Sequence, residues 1–185
     1  MAQQFKIILG SASPARKKIL QEMGYEFEVM PSGIDEKAIR SDDPKELVVM
    51  LAYAKAEALL LKIQDPVILI TSDQVVVCNG AIREKPETEA KARQYLRSLA
   101  PCPVETVTAV VVTNTDVKKH CEGADMAKVI FSEIPAETIE RYIQSGEAFT
   151  HAGGFDIANP QFMPYVKEIQ GEYESILGLD RKSVV

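Results

Sequence analysis

Two charged side chains stand where a simple apolar core would have none. Lys55 falls within the arc of leucine, valine and alanine residues on a helix that begins after Asp43, since helical residues advance by about 100° each. Asp73 interrupts a run of valine, isoleucine and leucine residues between Ile70 and Val75. A charge is costly to bury unless it is paired or coordinates a ligand. These two positions are therefore the first candidates for chemistry.

The sequence leaves alternatives open for both. The Lys55 ammonium either extends out to solvent, pairs with an acid, or points into a polar cleft and binds a ligand. Asp73 either belongs to a Ser-Asp turn that breaks the strand, or ends a strand and faces a cleft. In a cleft, burial would raise its pKa towards that of a useful general base, whereas a neighbouring cation or metal would lower it.

A third candidate site is the start of the first predicted helix. An apolar strand over 6–9 runs into this helix, for which Ser13 suits the N-cap and Pro14 the first helical position. Free backbone N–H groups at a helix start attract anions. Arg16 and two following lysines lie in the first turns, where the helix dipole disfavours cations. The pattern predicts either a phosphate site or an ordinary capped helix with a solvated basic face.

Lys85 and Glu36 are weaker candidates, because each lies in a charged loop where solvent exposure is the ordinary interpretation. As a set, however, several cations and two separated acids suit a polyphosphate and a divalent cation, which often uses one or two carboxylates plus phosphate oxygens. The chain lacks the G-x4-G-K-S/T pattern, so it is not a P-loop enzyme.

Composition narrows the class of protein. The chain has 185 residues, 46% of them hydrophobic, which fits one domain over 1–185 with two lobes. A net charge of −6 argues against a nucleic-acid-binding surface. The chain has only two histidines, which excludes a His-rich metal site. Its cysteines are odd in number and form no CxxC pair, which indicates reduced thiols at Cys78, Cys102 and Cys121. We find no signal peptide and no run of about 18 apolar residues, so we expect a soluble cytoplasmic protein with no membrane partner.

The periodicity predicts strands that alternate with helices in the first half and paired long strands after them, which favours an α/β fold with a mixed sheet. A Pro-rich break at 101–103 is the expected boundary between lobes. Predicted strands cover residues 6–9, 25–30, 67–70, 75–78, 104–113 and 125–132, and predicted helices cover 14–23, 44–63, 87–99 and 136–144.

Several short segments, spread over most of the chain, form a set whose order and spacing are specific. They are Ser11-Ala12-Ser13-Pro14-Ala15-Arg16, Asp35-Glu36, Ala54-Lys55-Ala56, Ser72-Asp73-Gln74-Val75, Glu84-Lys85-Pro86, Thr108-Ala109-Val110, Ala152-Gly153-Gly154-Phe155 and Gly178-Leu179. In these segments the chain resembles the Maf family of nucleoside triphosphate pyrophosphatases.

The resemblance implies an elongated, two-lobed α/β fold with a mixed sheet, flanking helices and a central cleft, like that of inosine triphosphatase. It implies a hydrolase that cleaves nucleoside triphosphates between the α and β phosphorus atoms, which removes unwanted nucleotides. Many members are homodimers, so we expect one here. The family is also linked to inhibition of septum formation, which keeps a catalytically weak, nucleotide-binding regulator of cell division as the alternative.

Residue by residue, the resemblance assigns the general base to Asp73. It assigns Mg²⁺ or Mn²⁺ to Glu36 and Asp73, so that Asp73 is either base or ligand. The positions that match phosphate-binding ones are Ser11, Ser13, Arg16, Lys55 and Lys85.

The base of the nucleotide is less well indicated. Members that select dTTP and UTP carry Arg, Thr and Gln at or near the positions of Ala15, Gln74 and Ala158, and none of these matches. The 7-methylguanosine-triphosphate subgroup agrees at Gln74 but carries an aromatic residue at Ala15 and an acid near Ala158. The family's lysine before the Ala-Gly segment is His151 here. We expect a modified purine nucleotide, with the base undecided.

Overall fold

The computed structural model describes residues 5–184. Within that range the chain forms two compact units. Unit 1 comprises residues 5–74, 107–125 and 174–184, and unit 2 comprises residues 75–106 and 126–173. Among these residues, no helix combines the length and the apolar character needed to cross a membrane.

Within residues 5–184, seven strands form one mixed sheet, which confirms the predicted α/β class. The strands are β1 Lys6–Leu9, β2 Phe27–Val29, β3 Val67–Cys78, β4 Ala81–Arg83, β5 Val104–Asn114, β6 Lys119–Phe131 and β7 Val166–Gln170. Their order is β2-β1-β3-β5-β6-β7, with β4 paired to β3. β1 runs parallel to β2 and β3, whereas the β3–β4 and β6–β7 pairs are antiparallel.

The helices follow the capping signals of the sequence. They are α1 Pro14–Glu22, α2 Pro44–Leu60, α3 Glu89–Arg97, α4 Ala136–Gln144 and α5 Tyr173–Ile176. Ser13 caps α1 and Pro14 takes the first helical position, as predicted. Asp43 and Pro44, the same pair of signals in the sequence, begin α2 in the same way. Helix α3 starts later than predicted, at Glu89, because Thr88 accepts the capping hydrogen bond from the backbone N–H of Lys91.

One core cluster of unit 1 lies where β1, β3, β5 and α1 pack. Its buried members are Leu9, Ile19, Leu20, Ile70, Val110 and Leu179. The β1–α1 connection approaches β3 closely at Gly10, whose N–H donates to the Ile70 carbonyl at 2.8 Å. A Cβ at this position would lie 2.7 Å from side-chain atoms of Leu59 and Thr71, so glycine is required there.

Unit 2 is organised around the β3–β4 hairpin and helices α3 and α4. The pair Asn79-Gly80 is a strong sequence signal for a two-residue turn. The two residues form that turn, with φ values of 53° and 71°. Arg93 on α3 and Glu140 on α4 form a two-pronged ion pair at 2.6 and 2.7 Å. Tyr142 is fully buried.

The predicted break in the third strand is wrong, since β3 continues through residues 71–74. Its polar side chains find partners inside the protein: Thr71, for example, donates to the Ala52 carbonyl at 2.9 Å. A satisfied hydroxyl does not force the strand to end. Strand β6 likewise begins at Lys119, six residues before its predicted start, because backbone pairing continues into an exposed polar stretch.

Candidate active site

Lys55 and Asp73 form a buried ion pair in unit 1. Lys55 lies on α2 and Asp73 lies inside β3, and each is 6% exposed. The Lys55 ammonium donates a hydrogen bond to Asp73 Oδ1. The hydrogen bond from Thr71 to the Ala52 carbonyl fixes α2 against β3 one turn before Lys55. Asp73 therefore occupies neither of the two predicted positions, a strand break or a strand end.

Glu36 completes the pair as a cluster of three charges. Its Oε1 lies 2.8 Å from the Lys55 Nζ, and its side chain is 56% exposed, unlike the other two. It stands at the start of a single 3-10 turn, which Asp35 caps by accepting from the Lys37 N–H. Of the three interpretations of Lys55, the structure shows pairing with acids, and extension into solvent is wrong.

Arg16 is held by backbone and hydroxyl oxygens in the same unit. Its Nε donates to the Gly178 carbonyl at 2.8 Å, and its Nη1 donates to the Ser72 carbonyl at 2.8 Å and to Ser11 Oγ at 3.3 Å. Ser13 Oγ accepts from the Arg16 N–H at 3.4 Å, as its predicted cap role requires. Ser11 Oγ also accepts from the Ser13 N–H at 3.2 Å, so the loop before α1 is internally ordered.

Burial and neighbouring charges shift the pKa values of Asp73 and Arg16 in opposite directions. Burial raises the pKa of the Asp73 carboxyl above its ordinary value, and the positive charges of Lys55 and Arg16 oppose that rise. Burial lowers the pKa of the Arg16 guanidinium, and the negative charges of Asp73 and Glu36 oppose that shift. A carboxyl with a raised pKa beside fixed cations is typical of a proton acceptor in a catalytic site.

The residues present fit a divalent cation that also uses substrate oxygens. Glu36 and Asp73 already converge on one positive charge, the Lys55 ammonium. Within residues 5–184, no group of three or more histidine, cysteine, aspartate or glutamate side chains is arranged to hold a metal. Mg²⁺ commonly takes one or two carboxylates and completes its shell with phosphate and water. Two carboxylates match that requirement.

Gln74, which the sequence predicts to influence specificity, directs its amide nitrogen at protein atoms. Its Nε2 lies 2.9 Å from Thr108 Oγ1, 2.8 Å from the Ser175 carbonyl and 2.9 Å from the Ile176 carbonyl. The amide nitrogen thus ties β3 to α5. Ala15, the second predicted specificity position, is half-buried on α1.

The remaining predicted residues lie in unit 2. Lys85 is exposed between β4 and α3, and Ala158 is exposed, with its N–H donating to Asp156 Oδ1 at 2.9 Å. His151 is exposed, and its Nδ1 lies 2.7 Å from Thr150 Oγ1. The Gly153 N–H donates to the Glu84 carbonyl at 3.1 Å, which brings the chain after His151 beside the residue before Lys85. A phosphate role for Lys85 stays a prediction.

Sequence reasoning missed two residues that shape the site, Ser72 and Gly178. Ser72 Oγ donates to the Gly178 carbonyl at 2.8 Å, the same oxygen that accepts from Arg16. Gly178 has a φ of +96°, and a Cβ there would lie 3.1 Å from Arg16 Nε. Both lie inside segments that resemble the Maf family, and that resemblance is the sequence signal that could have identified them. Neither side chain is charged, so neither stands out as a candidate for chemistry.

Comparison with known proteins identifies a family and several similar chains. The family model for Maf-like proteins matches residues 6–185. A 7-methyl-GTP pyrophosphatase from Dictyostelium discoideum is 44% identical over 95% of this chain and 91% of its own. A dTTP/UTP pyrophosphatase from Alkaliphilus metalliredigens is 36% identical over 94% of this chain and 90% of its own. A crystal structure of a nucleoside-triphosphatase (dITP/XTP pyrophosphatase) from Mycobacterium abscessus has a TM-score of 0.44 and 12% identity, over 71% of this chain and 76% of that chain.

Proposed function

This chain belongs to the family of Maf-like proteins, and from that premise we propose that it hydrolyses a nucleoside triphosphate to the monophosphate and pyrophosphate. The observation that carries the proposal is the buried Asp73 carboxylate, which is paired with Lys55 in the same unit as Arg16. A carboxylate that accepts a proton and cations that bind phosphate are the two requirements of this reaction.

Each residue has a role in that scheme. Asp73 accepts the proton of a water molecule that attacks the α-phosphorus. Arg16 and Lys55 bind phosphate oxygens and stabilise the charge that develops on the departing pyrophosphate. Ser11 and Ser13 add phosphate contacts. Ser72 and the Gly178 carbonyl keep the Arg16 guanidinium in place before substrate binds.

Glu36 and Asp73 are the residues that would hold a divalent cation. When bound, such an ion neutralises phosphate charge and lowers the pKa of coordinated water. Lys55 keeps the two carboxylates together in the absence of that ion. Removing the ion with EDTA is therefore expected to abolish turnover while the fold persists.

For the base, we propose a methylated purine. The relative at 44% identity is named a 7-methyl-GTP pyrophosphatase, whereas the dTTP/UTP pyrophosphatase reported above is 36% identical. Ala15 and Ala158 depart from the pattern expected for the methylguanine subgroup, so contacts to the base differ from those of that subgroup. We further propose that the chain acts as a homodimer in the cytoplasm, which gel filtration and cell fractionation test.

The decisive experiment is a panel of 7-methyl-GTP, GTP, dTTP and UTP, scored by pyrophosphate release with Mg²⁺, with Mn²⁺ and with EDTA. We expect metal-dependent release, with kcat/KM for the methylated purine about tenfold or more above that for dTTP, the difference that a few base contacts supply.

Asp73→Asn should lose turnover by about 10³-fold, the usual contribution of a positioned base. Asp42→Asn, at an exposed acid of the same unit, is the matched control and should retain it. Pyrophosphate release from none of the four nucleotides would reject the hydrolase and favour a nucleotide-binding regulator, which equilibrium dialysis with a non-hydrolysable analogue would detect.

A further inference from the structure

Two cysteines that are far apart in the sequence meet in unit 2. The Sγ atoms of Cys78 and Cys102 lie 3.3 Å apart. Cys78 is the last residue of β3 and is 2% exposed, whereas Cys102 is half-buried in the loop before β5. The mechanism described above uses neither residue.

The surroundings of Cys102 hold its sulfur beside Cys78. Cys102 Sγ lies 2.8 Å from Asn79 Oδ1 and 3.3 Å from the Pro103 carbonyl. Asn79 is itself fixed by the tight turn between β3 and β4. Pro101 and Pro103 flank Cys102 and restrict its backbone. The closeness of the two thiols therefore rests on ordered local structure on both sides.

We propose that Cys78 and Cys102 form an oxidisable thiol pair, which hydrogen peroxide converts into a disulfide within unit 2. A disulfide joins its sulfur atoms at about 2.05 Å, so the two must approach by a little over 1 Å. Rotation about the Cα–Cβ bond of the half-buried Cys102 can supply that movement.

The reaction begins at Cys102, which is the more exposed thiol. Its sulfur attacks peroxide, the O–O bond breaks, and the products are a sulfenic acid and one water molecule. The Cys78 sulfur then attacks the Cys102 sulfur. The S–O bond breaks, and the departing hydroxide takes the Cys78 proton to give a second water molecule. Two thiols have lost two electrons to one peroxide molecule.

Cys78 suits the second step better than the first. Burial raises the pKa of its thiol to about 11, with a further contribution from the hydrogen bond to Cys102, while Arg83 opposes the rise. A protonated, buried thiol is a poor target for peroxide in solution but stands in contact with the sulfenic acid once that has formed. The second step is therefore expected to be the slower one.

The disulfide would close a loop from residue 78 to residue 102. That loop contains β4, α3 and Lys85. Closing a loop of this length restricts the unfolded chain and stabilises the folded one. We expect the thermal midpoint of the full chain to rise by about 5 °C or more on oxidation and to return on reduction.

Peptide mapping of the full chain tests the proposal directly. The protein is treated with a small excess of hydrogen peroxide, free thiols are blocked with N-ethylmaleimide, and the chain is digested with trypsin without reductant. The expected product is a cross-linked pair of peptides, residues 63–83 and 98–118, lighter by two hydrogens than their sum. Cys121, in peptide 120–128, should appear in no peptide cross-linked within one chain and serves as the internal control.

Two variants separate the pair from general thiol oxidation. Cys121→Ser should form the same cross-link and show the same rise in thermal midpoint. Cys102→Ser, at the half-buried position, should fold and show neither. Oxidation that gives sulfinic or sulfonic acid at Cys102 while Cys78 remains alkylated would overturn the proposal, as would a cross-link found only between chains on a non-reducing gel.

Discussion

The Nε of Arg16 donates a hydrogen bond to the carbonyl oxygen of Gly178 at 2.8 Å, although the two residues are 162 positions apart. The same oxygen accepts from Ser72 Oγ at 2.8 Å. The backbone at Gly178 is in the left-handed region, with a φ of +96°. The C-terminal segment thereby sets the orientation of a guanidinium that we assign to phosphate binding.

Gly178→Ala should disturb that orientation. A methyl group there would lie 3.1 Å from Arg16 Nε and 3.3 Å from Arg16 Nη2, so the guanidinium must move. The contact requires a shift of the guanidinium by a few tenths of an ångström. Because a displacement of about 1 Å costs about 100-fold, we expect this smaller shift to lower kcat/KM for pyrophosphate release by about tenfold. In an Arg16→Ala background, the same change should have little further effect.

The matched control is Gly146→Ala. Gly146 has a similar φ of +82°, but a Cβ there would have nothing within 4 Å. Both variants carry the left-handed backbone penalty of about 1–2 kcal/mol, so both lose thermal stability. Only Gly178→Ala should lose turnover per folded molecule, and an equal loss in the two would show that Gly178 has no special relation to Arg16.

Local signals in the sequence predicted the parts of the fold that depend on neighbouring residues. A capping residue followed by proline located the starts of α1 and α2, and Asn79-Gly80 located the β3–β4 turn. These features depend on backbone conformation within a few residues, which residue types control directly. The order Asp43-Pro44-Lys45-Glu46 also predicts a capping box, in which the Glu46 side chain would accept from the Asp43 N–H. In the structure Glu46 instead accepts from Ser41 Oγ, and the Asp43 N–H donates to Ser41 Oγ.

Distant contacts could not be predicted in the same way. Whether Lys55 pairs with an acid or reaches solvent depends on Asp73 and Glu36, which come from other elements. The predicted break in β3 was wrong for the same reason, since the carbonyl that accepts the hydrogen bond of the Thr71 hydroxyl lies on α2. Gly178 lies in a segment that resembles the Maf family, but its contact with Arg16 depends on the packing of residues that are distant in the sequence.

Replacing Lys55 should destabilise the chain strongly when the metal is absent. Lys55→Met keeps most of the unbranched side chain but leaves the buried Asp73 carboxylate without its cation. Removing one partner of a buried pair costs about 3–5 kcal/mol, whereas the contact with the exposed Glu36 adds little. Urea unfolding at pH 7.5 in EDTA measures the loss.

Lys45→Met, at an exposed position on the same helix, should change the free energy of unfolding by less than about 0.5 kcal/mol. Adding Asp73→Asn to Lys55→Met should recover part of the loss, because no uncompensated carboxylate is then buried. If instead Asp73→Asn changes the free energy of unfolding by the same amount in the Lys55→Met background as in the wild type, the two side chains do not interact.

The raised pKa of Asp73 predicts how stability depends on pH. A folded-state pKa above the ordinary value of 3.8 means that the folded chain binds this proton more tightly than the unfolded chain. The wild type should therefore lose stability, relative to Asp73→Asn, as the pH rises from about 3.8 through the folded-state pKa. Above that pKa the loss levels off, and its size is about 1.4 kcal/mol for each pH unit that separates the folded and unfolded pKa values.

Urea titrations of both proteins between pH 3.5 and 7.5 in EDTA give this difference. The informative quantity is how the difference in unfolding free energy changes with pH. Asp73→Asn also leaves Lys55 without this partner, but that contribution to the difference is nearly independent of pH. A wild type that gains stability over the variant as the pH rises would mean that Lys55 and Arg16 outweigh burial.

Gln74→Met distinguishes a positioning role from recognition of the base. The Gln74 amide nitrogen contacts the Ser175 and Ile176 carbonyls, just before the segment that holds Arg16. Methionine fills the same space without donating. The Ser175 carbonyl keeps its hydrogen bonds from Thr108 Oγ1 and the Gly178 N–H, whereas the Ile176 carbonyl loses its contact with Gln74, so we expect a loss of about 1 kcal/mol in stability. Since the disturbed element orients a phosphate-binding group, kcat/KM should fall by one common factor for 7-methyl-GTP, GTP, dTTP and UTP.

Gln64→Met, at an exposed position in unit 1, should leave both stability and turnover unchanged. A loss that differs tenfold between purine and pyrimidine nucleotides would instead assign the Gln74 side chain to the base.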